Sequence, residues 1–323
     1  MMFNLLRNWG AQSSEKKINV VTIMKWNITI LALTGAFFLC SCGEIIDILT
    51  PETEIGKYFD EDRQINHTIL SEKAEDNATY QKFLDIADEY DLLFCIREFQ
   101  SGYSGKTQDI ELYSGQYSWN FLDSTDDAIL DQYVEDFVNN WEVLSVDFIK
   151  KSGLKGILFV KDLLFADINV GGGFDVVDQV VYVTIPAYYP GDDFPSYTIY
   201  HEFFHLIQNK FPYSYQFIDY DEWKALNPPE FSYYPGGALA MIEDYKDEPW
   251  SFFDKPTQEG FVTNYSMADM WHDATELFCF LFIEAKHAML KEWIKTDAYL
   301  EAKVDYLIEC LQKISPDVNV DTN

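Results

Sequence analysis

Apolar side chains recur every three to four residues along 77–96 and again along 125–151, where Leu130, Tyr133, Val134, Phe137 and Trp141 would line one stripe. That period predicts two amphipathic helices packed on a shared core. The runs ILFVKDLLF at 157–165 and VVYVTI at 180–185 are rich in β-branched and aromatic residues instead, and they read as strands. Between them lies the run Gly171, Gly172, Gly173. No Lys follows it and no dinucleotide spacing is present, so it is no phosphate loop. Residues 186–195 read as a loop into a helix at 196–211. The stretch 218–258 holds five prolines and many aromatics and reads as an irregular excursion. Two further helices, at 266–288 and 297–313, close the chain. The first opens with a capping-box pattern from Ser266 to Asp269. Residues 43–75 mix acids with Pro and Gly and show little helical period, so 42–75 reads as an acidic tether ahead of a single domain at 76–316. The order of elements predicts an α+β fold, mainly helical, with a small mixed sheet beside the helix at 196–211.

That helix reads SYTIYHEFFHLIQNKF and contains H-E-x-x-H at His201, Glu202 and His205. Residues four apart share a helix face, so both imidazoles reach one metal ion. Glu202 lies about 100° round, placed to act as a general base and not as a ligand. At ~100° per residue, Tyr197, Gln208, His201, His205, Thr198, Asn209 and Glu202 fall on one arc and the apolar residues on the other. A solvated face in so acidic a protein should collect Asp, Glu and Lys. This arc has one charge, which suits a confined polar cavity. The motif therefore predicts bound Zn²⁺.

Catalytic zinc takes three protein ligands and leaves a position for water. The chain has five histidines, so the other candidates are His67, His272 and His287 together with carboxylates. His67 falls in the tether. His287 is 15 residues beyond His272, roughly 22 Å along a helix axis, too far to share its ion. His272, Glu276 and Asp269 would share one face of a helix whose apolar density from 277 to 283 marks it as buried nearly all round.

HEFFH, then Trp223 to Pro228 (WKALNP) with Phe231 and Tyr233, then GFVTNYS at 260–266 and HDATE at 272–276, together resemble zinc metallopeptidases of Bacteroidetes-type bacteria. The nearest likeness is to the substrate import-associated zinc metallohydrolase lipoprotein family, over roughly 75–290. The resemblance implies a zincin-like catalytic domain and a peptide or protein substrate beside an outer-membrane nutrient importer. In related zincins the third-ligand helix reads like E-D-F-A-E, with the first Glu on zinc. This chain has His272 there, so His272 is the expected third ligand, with Glu276 and then Asp273 as alternatives. Glu276 is also a candidate to hold a histidine N–H from behind. By the same analogy Tyr265 would hydrogen-bond the oxyanion. An extended peptide would add as a strand beside 180–185.

The N-terminus carries a second signal. From Met24, the expected true start, Lys25 precedes an apolar run at 28–39 and then Leu39, Cys40, Ser41 and Cys42. These are the parts of a secretory signal, too short to span a bilayer. The segment resembles a bacterial lipoprotein signal with Cys42 as the lipidated residue, which implies a lipid anchor in the outer membrane. Glu44 and Asp47 near it favour cell-surface export. A cleaved signal without lipid is the alternative. The remaining cysteines, Cys95, Cys279 and Cys310, form no disulfide framework.

The formal net charge is −31, from 23 Lys plus Arg against 54 Asp plus Glu. Loss of 1–41 removes Arg7, Lys16, Lys17 and Lys25 against one acid, Glu15, so the mature chain is more acidic still. Such a field repels phosphate backbones and excludes nucleic acid as a partner. The sequence thus points to a membrane-anchored zinc metallopeptidase. Its competitor is a surface lipoprotein that keeps a zincin fold only to bind a ligand or an importer partner.

Overall fold

The structure is a computed structural model that describes residues 55–97, 99, 117–141, 144–165, 168–176, 178–185, 194–210, 217–245 and 249–321. The expected lipidation site Cys42, the signal before it and most of the 186–195 loop lie outside these residues. No helix among the described residues is long and apolar enough to cross a membrane.

In chain order the elements are α1 (Ile55–Ala74), α2 (Ala78–Tyr90), β1 (Leu93–Cys95), β2 (Tyr117–Phe121), α3 (Asp127–Trp141), α4 (Val146–Ser152) and β3 (Gly156–Phe165). There follow β4 (Ile168–Asn169), β5 (Gly172–Asp175), β6 (Val180–Thr184), α5 (Phe194–Lys210), α6 (Tyr220–Ala225), α7 (Gly237–Asp244), α8 (Met270–Phe282), α9 (Glu284–Ile294) and α10 (Ala298–Ile314). The fold is α+β, helix-rich with a small mixed sheet.

The sheet is built on β3. Its first half pairs in parallel with β1 on one side, Leu93 opposite Gly156, and with β6 on the other, Gly156 opposite Val180. Its second half pairs antiparallel with β2 and β4. Strand β5 runs antiparallel to β6, Gly172 opposite Val183, and ends the order β1-β3-β6-β5. Successive side chains of a strand point to opposite faces, and β3 shows the consequence. Ile157 and Phe159 enter the main core under the helices, while Leu158 and Val160 join Tyr117 and Tyr182 in a second cluster on the other face. In the main core Phe83, Phe94, Phe137 and Phe159 pack ring on ring, and Trp141 continues the stack toward Tyr200 and Phe203 of α5. Helix α5 is thereby fixed against β5, β6, α3 and α8.

Four expectations change. The helix expected over 77–96 stops early: Asp91 caps α2 in the left-handed region (φ 59°, ψ 43°). The run after it is apolar at every position and becomes a buried parallel strand, β1. The helix expected over 125–151 is two helices, the second started by Ser145, whose hydroxyl accepts from Phe148 N. The segment expected to be a tether carries the long helix α1. It is held by polar contacts that a search for apolar periodicity does not register. Buried Asn66 accepts Ile96 N (2.9 Å) and Arg97 N (3.3 Å), and Arg63 donates to the Asp91 carboxylate (2.7 Å) and carbonyl (3.1 Å). The helix expected over 266–288 breaks at Ile283, and its N-cap is Asp269, which accepts from Trp271 N and His272 N. Ser266 instead closes a turn with Thr263.

Candidate metal centre

Helix α5 brings His201 and His205 to one face, and the first turn of α8 brings His272 opposite them. One ring nitrogen from each of the three lies within 4.8 Å of the others. The ring centroids are 4.7 Å (His201 to His205), 4.9 Å (His205 to His272) and 5.8 Å (His201 to His272) apart. The site is nearly closed to solvent, with His205 9% and His272 8% exposed. The arc that the sequence marks as polar is mostly inside: Tyr197, Thr198, His205 and Gln208 are buried, while His201, Glu202 and Asn209 are half-buried.

Each imidazole is gripped from behind. His201 Nδ1 is 3.0 Å from Glu276 Oε1, His205 Nδ1 is 2.8 Å from Gln208 Oε1, and His272 Nδ1 is 2.9 Å from Asp269 Oδ1. An oxygen acceptor at Nδ1 places the proton there and leaves the Nε2 lone pair facing inward, the arrangement that metal-bound histidines need. His201 Nε2 and His205 Nε2 are 3.1 Å apart. With both rings neutral, two lone pairs at that distance repel, and a cation between them removes the repulsion; in the metal-free protein a proton on His201 Nε2, donated to His205 Nε2, does the same. Tetrahedral ligands at ~2.0–2.1 Å from zinc would stand roughly 3.3 Å apart. The donor set therefore fits zinc.

The supports are themselves fixed. Gln208 donates to Trp271 O (3.0 Å) and receives the Thr275 hydroxyl (3.1 Å). Glu276 accepts the Tyr197 hydroxyl and, at 2.7 Å, the Thr263 hydroxyl. Burial pushes Glu276 up, but the His201 N–H and the two hydroxyls outweigh it and hold the carboxylate below its ordinary value. Burial pulls His201 down, yet the Glu276 hydrogen bond and nearby carboxylates carry it above the usual imidazole value. His205 has burial and the nearby His201 and His272 rings acting in the same direction and falls well below that value, so it is neutral.

Glu202 follows His201 in α5 and lies within electrostatic reach of His201 and His272, and burial raises its carboxyl above the ordinary range, which suits a proton acceptor poised nearer neutrality. Its position is set by Gly172. A Cβ there would lie 2.6 Å from Glu202 Cγ and 2.7 Å from Thr198 Cγ2. Next along β5, a Cβ on Gly173 would meet the Tyr117 ring at 2.6 Å on the opposite face. The glycine run is thus a strand pinched between α5 and an aromatic side chain. Tyr265 Oη lies 3.1 Å from His272 Nε2, so its hydroxyl faces the same point as the three Nε2 atoms.

Of the sequence candidates, His201, His205, His272, Glu202 and Tyr265 converge, and Glu276 stands behind His201. Asp273 does not join them. It points to the far side of α8, where Lys303 Nζ (2.7 Å), Trp223 Nε1 (2.9 Å) and Tyr233 Oη (2.7 Å) all bind its Oδ2. Strand β6, expected to receive an extended peptide, is already paired on both sides by β3 and β5, and the edge beside α5 is β5. Sequence reasoning assigned no role to Gly172, Thr263, Gln208 or Asp269 as supports. Two of them carry a signal: Gln208 its place on the polar arc, and Asp269 the face it shares with His272.

No family model and no curated protein matches this chain. Among solved structures it is similar to a candidate zinc-binding metallo-peptidase from Bacteroides caccae, with 16% identity over 82% of this chain and 92% of that one and a TM-score of 0.35.

Proposed function

We propose that this chain is a zinc-dependent metallohydrolase that cleaves peptide bonds. The observation that carries the reading is the convergence of three imidazoles, each held at Nδ1 by an oxygen acceptor, with two of their Nε2 atoms 3.1 Å apart. His201, His205 and His272 would hold the ion. When bound, zinc supplies a Lewis acid and makes water a stronger acid. Glu202, desolvated and confined by Gly172, takes the proton from the attacking water and passes it to the leaving amine. The Tyr265 hydroxyl hydrogen-bonds the carbonyl oxygen as negative charge develops on it. Strand β5, the sheet edge beside α5, offers backbone groups to an extended peptide. The Leu39 to Cys42 pattern supports lipidation at Cys42, which would place the enzyme at the outer membrane, exposed at the cell surface and beside a nutrient importer.

Zinc content of the purified chain and cleavage of a peptide library by wild type and Glu202→Gln test this reading. About one zinc per chain and a loss of roughly 10²–10⁴-fold in kcat for Glu202→Gln are expected. Absence of bound zinc sinks it. Full occupancy with no Glu202-dependent cleavage leaves a ligand- or partner-binding protein instead.

A further inference from the structure

Behind α8 lies a buried ionic hub that plays no part in the chemistry above. Lys303 of α10 is 0% exposed, and its ammonium sits 3.7 Å from the centroid of the Phe261 ring. It donates to Asp273 Oδ2 (2.7 Å) and to the Gly260 carbonyl (2.8 Å). The Gly260 N–H is held by the Asp297 carboxylate, at 2.8 and 3.1 Å from its two oxygens, while that carboxylate also caps α10 through Leu300 N (3.0 Å). Both backbone polar groups of Gly260 are thus bound to α10, and the chain lies against the helix there: a Cβ on Gly260, where φ is +87°, would sit 3.2 Å from Tyr299 Cβ. From this anchor the chain runs directly to Thr263, which holds Glu276, and to Tyr265, which faces His272. Asp273, the other anchor, is the residue after His272.

We propose that Lys303 is a positioning residue for the metal centre. By binding Asp273 and the Gly260 carbonyl at once, it fixes the spacing between the helix that carries His272 and Glu276 and the segment that carries Thr263 and Tyr265. Trp223 and Tyr233 also bind Asp273, but the side chain that donates to the Gly260 carbonyl as well is that of Lys303. The inference rests on the metal-site reading above for its consequence, and on hydrogen bonds alone for its geometry.

The test uses the full chain as wild type, Lys303→Met, and the double variant Lys303→Met with Asp273→Asn. The single variant strands a buried carboxylate, and the double removes both charges and restores folding. Thermal unfolding, hydrogen exchange of the metal-free protein over 260–276 and a Co²⁺ titration followed by visible absorption are measured on each, with α3 amides as the reference for global opening. In the double variant the melting temperature should return toward wild type. Its amides at 260–268 should still exchange at least about 10-fold faster relative to α3, and Co²⁺ should bind roughly 10-fold more weakly with an altered ligand-field spectrum. Wild-type exchange and Co²⁺ affinity in the double variant would overturn the inference, because Lys303 would then only balance Asp273. If wild type itself takes up no Co²⁺, the metal reading fails and the exchange data alone decide: unchanged protection at 260–268 refutes the positioning role, and faster exchange sustains it.

Discussion

Asp273 and Glu276 stand three residues apart on α8, both buried and each bound by three donors, yet they belong to different kinds of site. Glu276 receives an imidazole N–H and two hydroxyls, from His201, Tyr197 and Thr263. Asp273 receives an ammonium, an indole N–H and a phenol, from Lys303, Trp223 and Tyr233. Burial pushes both carboxyls up; Glu276 nevertheless ends below its ordinary value and Asp273 above. The decisive difference lies one bond further out. The charge on Asp273 meets a full opposite charge and goes no further. Glu276 acts through an imidazole whose other nitrogen faces two more histidines, so its negative charge is transmitted to the place where a cation would sit. Burial and donor count do not separate a structural carboxylate from a functional one, but the identity of what its donor touches next does.

The largest effect that would break this contrast is on stability. Asp273→Ala leaves the Lys303 ammonium buried without its anion, and a loss of about 3–5 kcal/mol is expected in urea unfolding. Glu276→Gln keeps the volume and still accepts a hydrogen bond, so its main effect should fall on the metal. Zinc affinity, measured by competition with a chelator, should drop about 10–100-fold, or roughly 1.4–2.7 kcal/mol. The contrast is wrong if the Asp273 variant loses metal affinity without losing stability and the Glu276 variant does the reverse.

How far these roles could be read from sequence follows from the kind of surface each helix buries. Helix α5 has a polar arc against an apolar one, so His201, Glu202 and His205 could be placed on the inner face from spacing alone. Helix α8 is buried at every position from His272 to Phe282. A helix with no solvated stripe does not reveal which side faces which neighbour. His272, Asp273 and Glu276 therefore stayed in competition until the partners of each carboxylate were seen. The strands at 157–165 and 180–185 were legible because continuous β-branched and aromatic runs mark buried strands. Helix α1 was not, because much of its attachment runs through the polar contacts of Asn66 and Arg63 and not through an apolar stripe. Gly172 and Gly173 were visible only as a run, since the reason for each is a neighbour from a distant part of the chain.

Those two glycines give the next test, because they separate the two faces of one strand. An added methyl at Gly172 presses on Glu202, and one at Gly173 presses on Tyr117. Each should cost about 1–3 kcal/mol of stability through overpacking. Only Gly172→Ala should also lower kcat, by about 10- to 100-fold, with zinc content unchanged, since it shifts the base and not the ligands. Equal kcat losses in the two alanine variants would remove Gly172 from the site.

The smallest expected effect compares the two histidines of α5 in metal-free protein. Burial, together with the neighbouring His201 and His272 rings, holds His205 well below the ordinary imidazole pKa in the folded state. The unfolded chain, with a value near ~6.5, then binds a proton that the folded chain refuses. The stability tied to His205 is therefore fully present above pH ~6.5 and is lost as pH falls below it, at no more than about 1.4 kcal/mol per pH unit for one group. His201 has the opposite sign: its raised value gives stability that is present below ~6.5 and fades as pH rises through the folded pKa. Glu276, held below its ordinary value, loses its contribution only below pH ~4.5. Urea unfolding between pH 5 and 6.5 reads the histidines against the raised carboxyls of Glu202 and Asp273, whose contribution grows as pH falls and is common to wild type and a His205 variant. His205→Gln should flatten the decline in stability over that window. A slope equal to that of wild type, or a steeper one, would mean that the folded protein protonates His205 as readily as the unfolded chain does, and the inward-facing neutral imidazole on which the metal fit depends would be lost.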